Sequence, residues 1–192
     1  IPKVAEYTVG WREDVGRPNL APTTYAKDET FVRLYIVPAL GKKELGRLSA
    51  RDVQTWINKI PATCQCCVQG KDARRPDKRR RCCGLVPKRC CQDYPSAGTI
   101  RSIRECLRSM LSAAMTDELV DRNVAALVKL PHGRRRRVQA WSSDQARTFL
   151  ESARTEGDPL YAAYVLVLVL GLRKGEVLGL LWDEVNADKA EL

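Results

Sequence analysis

Apolar side chains recur at three- and four-residue spacing through most of the chain, which predicts a mainly helical protein. The first assigned helix opens at Thr23 or Thr24, either of which can cap it, and keeps the period through Tyr25, Val32, Tyr35 and Ile36 until Pro38 and Gly41 end it. A second helix starts after Ser49 and carries Val53, Trp56 and Ile57 towards Pro61. From Ser96 the period is strongest. Ile100, Ile103, Leu107, Met110, Leu111 and Ala114 form one stripe, and Arg101, Arg104 and Arg108 form a second, about 100° round the same helix. Asp121 or Asn123 opens a shorter helix through Ala126 and Leu127, closed by Pro131.

Further on, Ser142 and Gln145 have the spacing of a capping box ahead of Ala146, Phe149 and Leu150. Pro159 suits the first turn of a helix carrying the uncharged run Leu160 to Leu172. Being apolar on nearly all faces, this helix is expected to be central to a core. Val165 to Val169 also has strand character, because β-branched residues favour sheets, but the helix is preferred. The run is too short to cross a bilayer, which needs about 20 residues, so no membrane span is expected.

The period lapses twice. Residues 62–95 are rich in Cys, Arg and Pro, and regular structure is not expected there without a staple. Residues 130–140, with Pro131, Gly133 and the run Arg134, Arg135, Arg136 and Arg137, have the composition of a linker. No internal repeat is visible.

Charge sharpens this division. Of the 192 residues, 33 are Lys or Arg and 23 are Asp or Glu, a formal net charge of +10. Residues 1–61 carry ten basic and seven acidic side chains, residues 62–137 eighteen and seven, and residues 138–192 five and nine. The excess lies in the middle segment, which implies a polyanionic partner. Nucleic acid comes before a membrane surface, because no amphipathic helix with Trp or Phe on its apolar face accompanies the charge. The alternative is a solvated basic insert with no partner.

The most specific stretch is Gly171-Leu172-Arg173-Lys174-Gly175-Glu176-Val177-Leu178-Gly179-Leu180-Leu181-Trp182-Asp183-Glu184-Val185. It resembles the first conserved box of the tyrosine recombinases, the phage-integrase family. Upstream, Thr23-Thr24-Tyr25, Ile36-x-Pro38-x-Leu40-Gly41 and Leu48-Ser49-x-x-Asp52-Val53-Gln54-x-Trp56 are similar to that family's helical core-binding domain, closest to integrases of actinobacterial phages and integrative elements. The chemistry of the box also stands by itself. Gly171 can end the apolar helix at positive φ, and the next helix then presents the Arg173 guanidinium at its N-terminal edge. A planar fork of donors there suits a phosphate, and Glu176 one turn later could orient it. Alternatively Arg173 and Glu176 form an ordinary surface pair.

The resemblance implies a mainly α fold. A helical SAM-like core-binding domain occupies residues 1–130, with a Cys- and Arg-rich insertion at 62–95. A basic interdomain linker follows at 131–140, and the first helices of a truncated α+β catalytic domain at 141–192. It implies double-stranded DNA attachment sites as the partner, a homo-tetramer on DNA for the full-length protein, a cytoplasmic location, no membrane, and phosphoryl transfer through a 3′-phosphotyrosyl link with no catalytic cofactor. Arg173 matches the first catalytic arginine and Glu176 its support. The other family catalytic groups follow that box, whereas all six tyrosines here precede Arg173 and seven residues follow Val185. His132-Gly133-Arg134-Arg135 meets His-x-x-Arg only as a coincidence of a basic run. Together with the missing initiator Met, this leads to the expectation of a fragment that does not cleave DNA unaided. Thr23, Thr24, Lys27, Arg101, Arg104, Arg108 and Arg134 to Arg137 are the candidate DNA contacts.

Seven of the eight cysteines, Cys64, Cys66, Cys67, Cys82, Cys83, Cys90 and Cys91, fall within 28 residues, and Cys106 stands apart on the apolar side of the long helix as a small core residue. An odd cluster without a secretion signal argues against a disulfide framework. Structural zinc would explain how an insert with few apolar residues becomes ordered, although the spacing is not a Cys-x-x-Cys repeat; unliganded or redox-active thiols are the alternative. Four of the seven suffice for one ion, and a two-metal cluster has ligands enough. Between them lie Lys71, Arg74, Arg75, Lys78, Arg79, Arg80, Arg81, Lys88 and Arg89, a basic finger able to add phosphate contacts. The competing function is a non-catalytic DNA-binding regulator with a zinc-stapled finger. RNA binding is weaker, since aromatics are not interleaved with the basic residues.

Overall fold

The structure is a computed structural model and describes residues 1–130, 139–185 and 189. The chain divides into two compact units, residues 1–134 and 135–192. Both are helical, and among the described residues the only extended pairing is a bridge between Lys3 and Glu44.

The first unit opens with a helix that the periodicity reading did not assign. Helix α1 (Val4–Gly10) passes through a π-helical turn, Trp11–Gly16, into α2 (Arg17–Asn19). It exists because Val4, Thr8 and Trp11 lie on one face and are buried. The next helix, α3 (Pro22–Phe31), corrects the expected cap. Ala21 precedes the helix and Pro22 takes its first turn, so Thr23 and Thr24 lie inside that turn and neither caps it. Nor does Pro38 end the helix. A π-helical turn, Val32–Ile36, widens the backbone just ahead of α4 (Val37–Leu40), so the missing N–H of Pro38 falls in a new first turn and Gly41 follows as the cap.

Helix α5 (Ala50–Lys59) begins as expected. Ser49 Oγ accepts from Asp52 N–H at 3.1 Å, and Asp52 accepts from Ser49 N–H at 3.1 Å. The long α7 (Ala97–Thr116) starts at the Ser96 cap and buries the whole expected stripe together with Cys106. The segment after Asn123 is a 3-10 turn, Val124–Leu127, rather than an α-helix. Its Asn123 side chain donates to the Arg108 carbonyl at 2.7 Å and to Ser112 Oγ at 2.8 Å, which fastens the turn to α7. These elements enclose one core in which Ile36, Leu45, Ile57, Ile103, Leu107 and Met110 are sealed from solvent.

Gln54 on α5 makes a two-pronged clip. Its amide donates to the Lys129 carbonyl at 2.9 Å and accepts from Lys129 N–H at 2.8 Å, holding the chain against the core at that point.

In the second unit, α8 (Ser143–Thr155) has the expected Ser142/Gln145 capping box. Its Phe149 stacks edge-on between Trp141 and Tyr164, with ring centroids 5.3 and 5.0 Å away. The apolar run forms α9 (Tyr161–Val169), a helix and not a strand. Its expected position at the centre of a core is not met: among the described residues of this unit only Ala153 is a buried apolar residue, and Val169 and Leu170 are more than half exposed. Helix α9 packs against α8 and α10 (Lys174–Gly179), and two short helices cannot cover an element that is apolar all round.

Candidate functional site

The cysteine insert is ordered, and it contains short helical pieces that the composition did not predict: α6 (Gln65–Val68) and a 3-10 turn at Asp77–Arg79. All seven cysteines are free thiols brought to one place. Cys64, Cys67 and Cys90 form one group and Cys66, Cys82 and Cys83 another, with the sulfurs inside each group within 4.8 Å of one another. Between single pairs, Cys66 and Cys82 are 3.5 Å apart and Cys64 and Cys91 3.7 Å. Tetrahedral thiolate coordination at about 2.3 Å from a metal requires sulfurs a little under 4 Å apart. The cluster could therefore hold a metal.

Backbone amides already favour charge on some of these sulfurs. The Cys67 N–H is the largest influence on Cys64, whose thiol is lowered to about 6. Its neighbour Cys67 is pushed up to about 12, first by its interaction with Cys64 and then by burial. Gln92 N–H donates to Cys90 Sγ at 3.3 Å. Removing protons from such a set is the step that metal binding requires.

Asp72, which sequence reasoning did not single out, organises one side of the cluster. Its carboxylate is sealed from solvent and accepts N–H bonds from Arg81 at 3.0 Å, Cys82 at 2.8 Å and Gly84 at 3.1 Å. Arg75 lies 3.3 Å from it. These donors, the Cys82 N–H foremost, hold the carboxyl down to about 2. Gly84 is required by packing, since a Cβ there would stand 3.0 Å from the Asp72 carbonyl oxygen and 3.1 Å from Ala73 Cα. The only signal in the sequence was an acid isolated within a basic run, which by itself suggests no more than charge compensation.

The insert's cations fall into two classes. Arg74 and Arg80 donate to backbone carbonyls of the insert, Arg80 also pairs with Asp77, and Lys71 lies 3.7 Å from Asp93. Lys78, Arg79, Arg81, Lys88 and Arg89 are exposed, and no ion pair engages their side chains among the described residues.

On α7, Arg101 and Arg108 are exposed, but Arg104 is only 15% exposed and its Nε is buried without a hydrogen-bond partner among the described residues. Arg104 and Arg108 share Glu105, at 3.2 and 3.6 Å. Thr23 and Lys27 are exposed on the first turns of α3, and Thr24 is half-buried. Arg134 to Arg137 lie outside the described residues.

In the second unit, Gly171 has φ +72° and ends the apolar segment as expected. Arg173 then precedes α10, its N–H donating to Glu176 at 2.7 Å and its guanidinium pairing with the same carboxylate at 2.9 Å. The Arg173 side chain, paired with Glu176, is 87% exposed.

Residues 4–60 match the phage integrase N-terminal SAM-like domain. They hold α1 to α5, the part of the core that precedes the insert. Over 152 residues the chain is 27% identical to an integrase of Streptomyces ambofaciens, an alignment that covers 79% of this chain and 31% of that protein. The chain therefore spans about a third of the length of this curated relative. Among solved structures, the Tn1549 transposon integrase in complex with circular intermediate DNA is similar at TM-score 0.64 and 19% identity, over 98% of this chain and 52% of that one. The lambda integrase dimer bound to a COC′ core site is similar at TM-score 0.62 and 14% identity, over 96% and 43%. At these identities the likeness is one of fold.

Proposed function

We propose that this chain is the DNA-clamping part of a site-specific tyrosine recombinase that integrates a phage or other mobile element at double-stranded attachment sites. The observation that carries this is a match to the integrase SAM-like domain beside an ordered insert with five exposed cations, Lys78, Arg79, Arg81, Lys88 and Arg89, that no carboxylate among the described residues neutralises. Phosphates supply the missing countercharge, and Lys27, Arg101 and Arg108 extend the grip from α3 and α7. Zinc held by the insert's thiolates keeps these cations in a fixed array. Arg173, backed by Glu176, stands ready for the nonbridging oxygens of a scissile phosphate. No tyrosine follows Arg173 in these 192 residues, so in this reading the chain binds DNA and does not itself form the phosphotyrosyl link.

The test is a salt series of duplex-DNA binding by fluorescence anisotropy, with Lys78, Arg79, Arg81, Lys88 and Arg89 changed to Gln singly and together. Each phosphate contact removed lowers the slope of log affinity against log salt by about 0.9. An unchanged slope in the quintuple variant overturns the role of the insert. A covalent complex trapped on a nicked substrate overturns the expectation that the chain is inactive alone.

A further inference from the structure

The insert holds seven thiols, three more than one tetrahedral ion can use, and their arrangement accounts for the surplus. Cys64, Cys67 and Cys90 make one triad, and Cys66, Cys82 and Cys83 a second. Each triad lacks one ligand of a tetrahedron. The seventh thiol, Cys91, lies 3.7 Å from Cys64 in the first triad and also interacts with Cys66 and Cys82 in the second. We infer that the insert binds two zinc ions in one cluster, with Cys91 as a thiolate shared between them. One ion takes Cys64, Cys67, Cys90 and Cys91, and the other takes Cys66, Cys82, Cys83 and Cys91. Two tetrahedra joined at one corner need seven sulfurs, the number present. This rests on the reading of the insert as a zinc site and deepens it.

The sequence pattern supports the division. The doublet Cys66-Cys67 is divided between the two triads, Cys82 and Cys83 both serve the second, and Cys90-Cys91 gives one sulfur to the first triad and one to the junction. Cys64, at the N-cap of α6, and Cys67, on that helix, belong to one ion, and Cys66 on the same helix faces the other. Asp72 then acts on the second ion as a positioning residue, because its N–H bonds hold Arg81, Cys82 and Gly84.

The charges also fit. Residues 64–91 carry nine basic and two acidic side chains, a formal +7. Two divalent ions held by seven thiolates contribute a net −3. The loaded insert keeps a formal +4, so the cluster offsets part of the mutual repulsion of the cations packed round it and leaves the remainder for an anionic partner.

The experiment uses the full 192-residue chain, expressed with zinc and purified without chelator. Native mass spectrometry should find two zinc ions per chain. One ion overturns the shared cluster while leaving a single zinc site intact, and none overturns both. The chain reloaded with ¹¹³Cd should give two cadmium resonances split by coupling through the shared sulfur, and two unsplit resonances overturn the bridging role of Cys91. Cys91→Ser should lose the splitting and at least one ion, whereas Cys106→Ser should keep both. Because the coupling is read on the unmutated sequence, misfolding of a variant leaves the test standing.

Discussion

The helical core of the first unit and the insert threaded into it are ordered by opposite means. In the core, aliphatic and aromatic side chains from α1, α3, α5 and α7 exclude water over a wide area, and the polar groups are mostly caps and clips at its margin. In the insert the apolar side chains are outside, with Val68 at 63% and Val86 at 98% exposure, while the buried positions are Cys64, Gln65, Cys66, Asp72 and Cys82. Burial spreads stability over many contacts that each contribute little. A cluster of sulfurs round one carboxylate concentrates it in a few directional bonds. The core should therefore answer to lost volume, and the insert to the loss of a single polar atom.

The largest effect expected is in the core. Leu107 on α7 is sealed from solvent, and Leu107→Ala should cost about 2–5 kcal/mol, read as a lowered urea midpoint for the first unit. If the comparison is sound, the bound metal of the variant under native conditions stays at the unmutated level. Next comes Asp72→Asn, which keeps the shape but turns a donor towards the N–H groups of Arg81, Cys82 and Gly84. Metal affinity should fall about 10- to 100-fold, with faster amide exchange at those three residues and an unchanged urea midpoint for the core. Exchange unaltered at Cys82 and Gly84 would remove Asp72 from its role.

What the sequence disclosed follows the same division. Ser49, Ser96 and Ser142 cap where expected because capping is local, and Gly171 turns where expected because its backbone needs positive φ. The stripe on α7 was legible because one face of one long helix repeats it. Helix α1 was not, since Gly10, Gly16 and Pro18 lower helix propensity across residues 1–20 and tertiary burial of Val4, Thr8 and Trp11 outweighs them. The Thr23 and Thr24 cap failed for a competing local reason, Pro22 in the first turn. In the insert, composition identified the ligand type but not the pairing of sulfurs, which depends on how residues 64–67, 82–83 and 90–91 return to one point. Asp72 could not be recognised without the backbone amides that converge on it.

A smaller effect sharpens the distinction at the core's edge. Gln54→Ala removes both bonds to Lys129 and should cost about 1–2 kcal/mol, with raised amide exchange at Lys129 and none added within α7. Gln54→Glu should recover little, because the donor to the Lys129 carbonyl is lost while the acceptor is kept. Full recovery by Glu would mean that only one bond of the clip matters.

The smallest effect concerns the capping carboxylate of α5, the core's counterpart to Asp72. Asp52 is held down to about 2, first by Lys43 at 2.7 Å, then by the Ser49 hydroxyl and N–H. A carboxyl whose folded value lies below its ordinary 3.8 binds fewer protons in the folded state than in the unfolded one. Its contribution to stability is therefore complete above about pH 4 and is lost as the pH falls towards 2. Because the pair is partly open to solvent, that contribution is small and salt weakens it. Asp52→Asn should lower the thermal midpoint at pH 6, and the gap from the unmutated chain should close between pH 4 and pH 2. A gap that persists at pH 2 would mean that the carboxyl acts at this cap through hydrogen bonds that survive protonation and not through its charge. The core's edge would then depend, as the insert does, on directional bonds that protonation leaves in place.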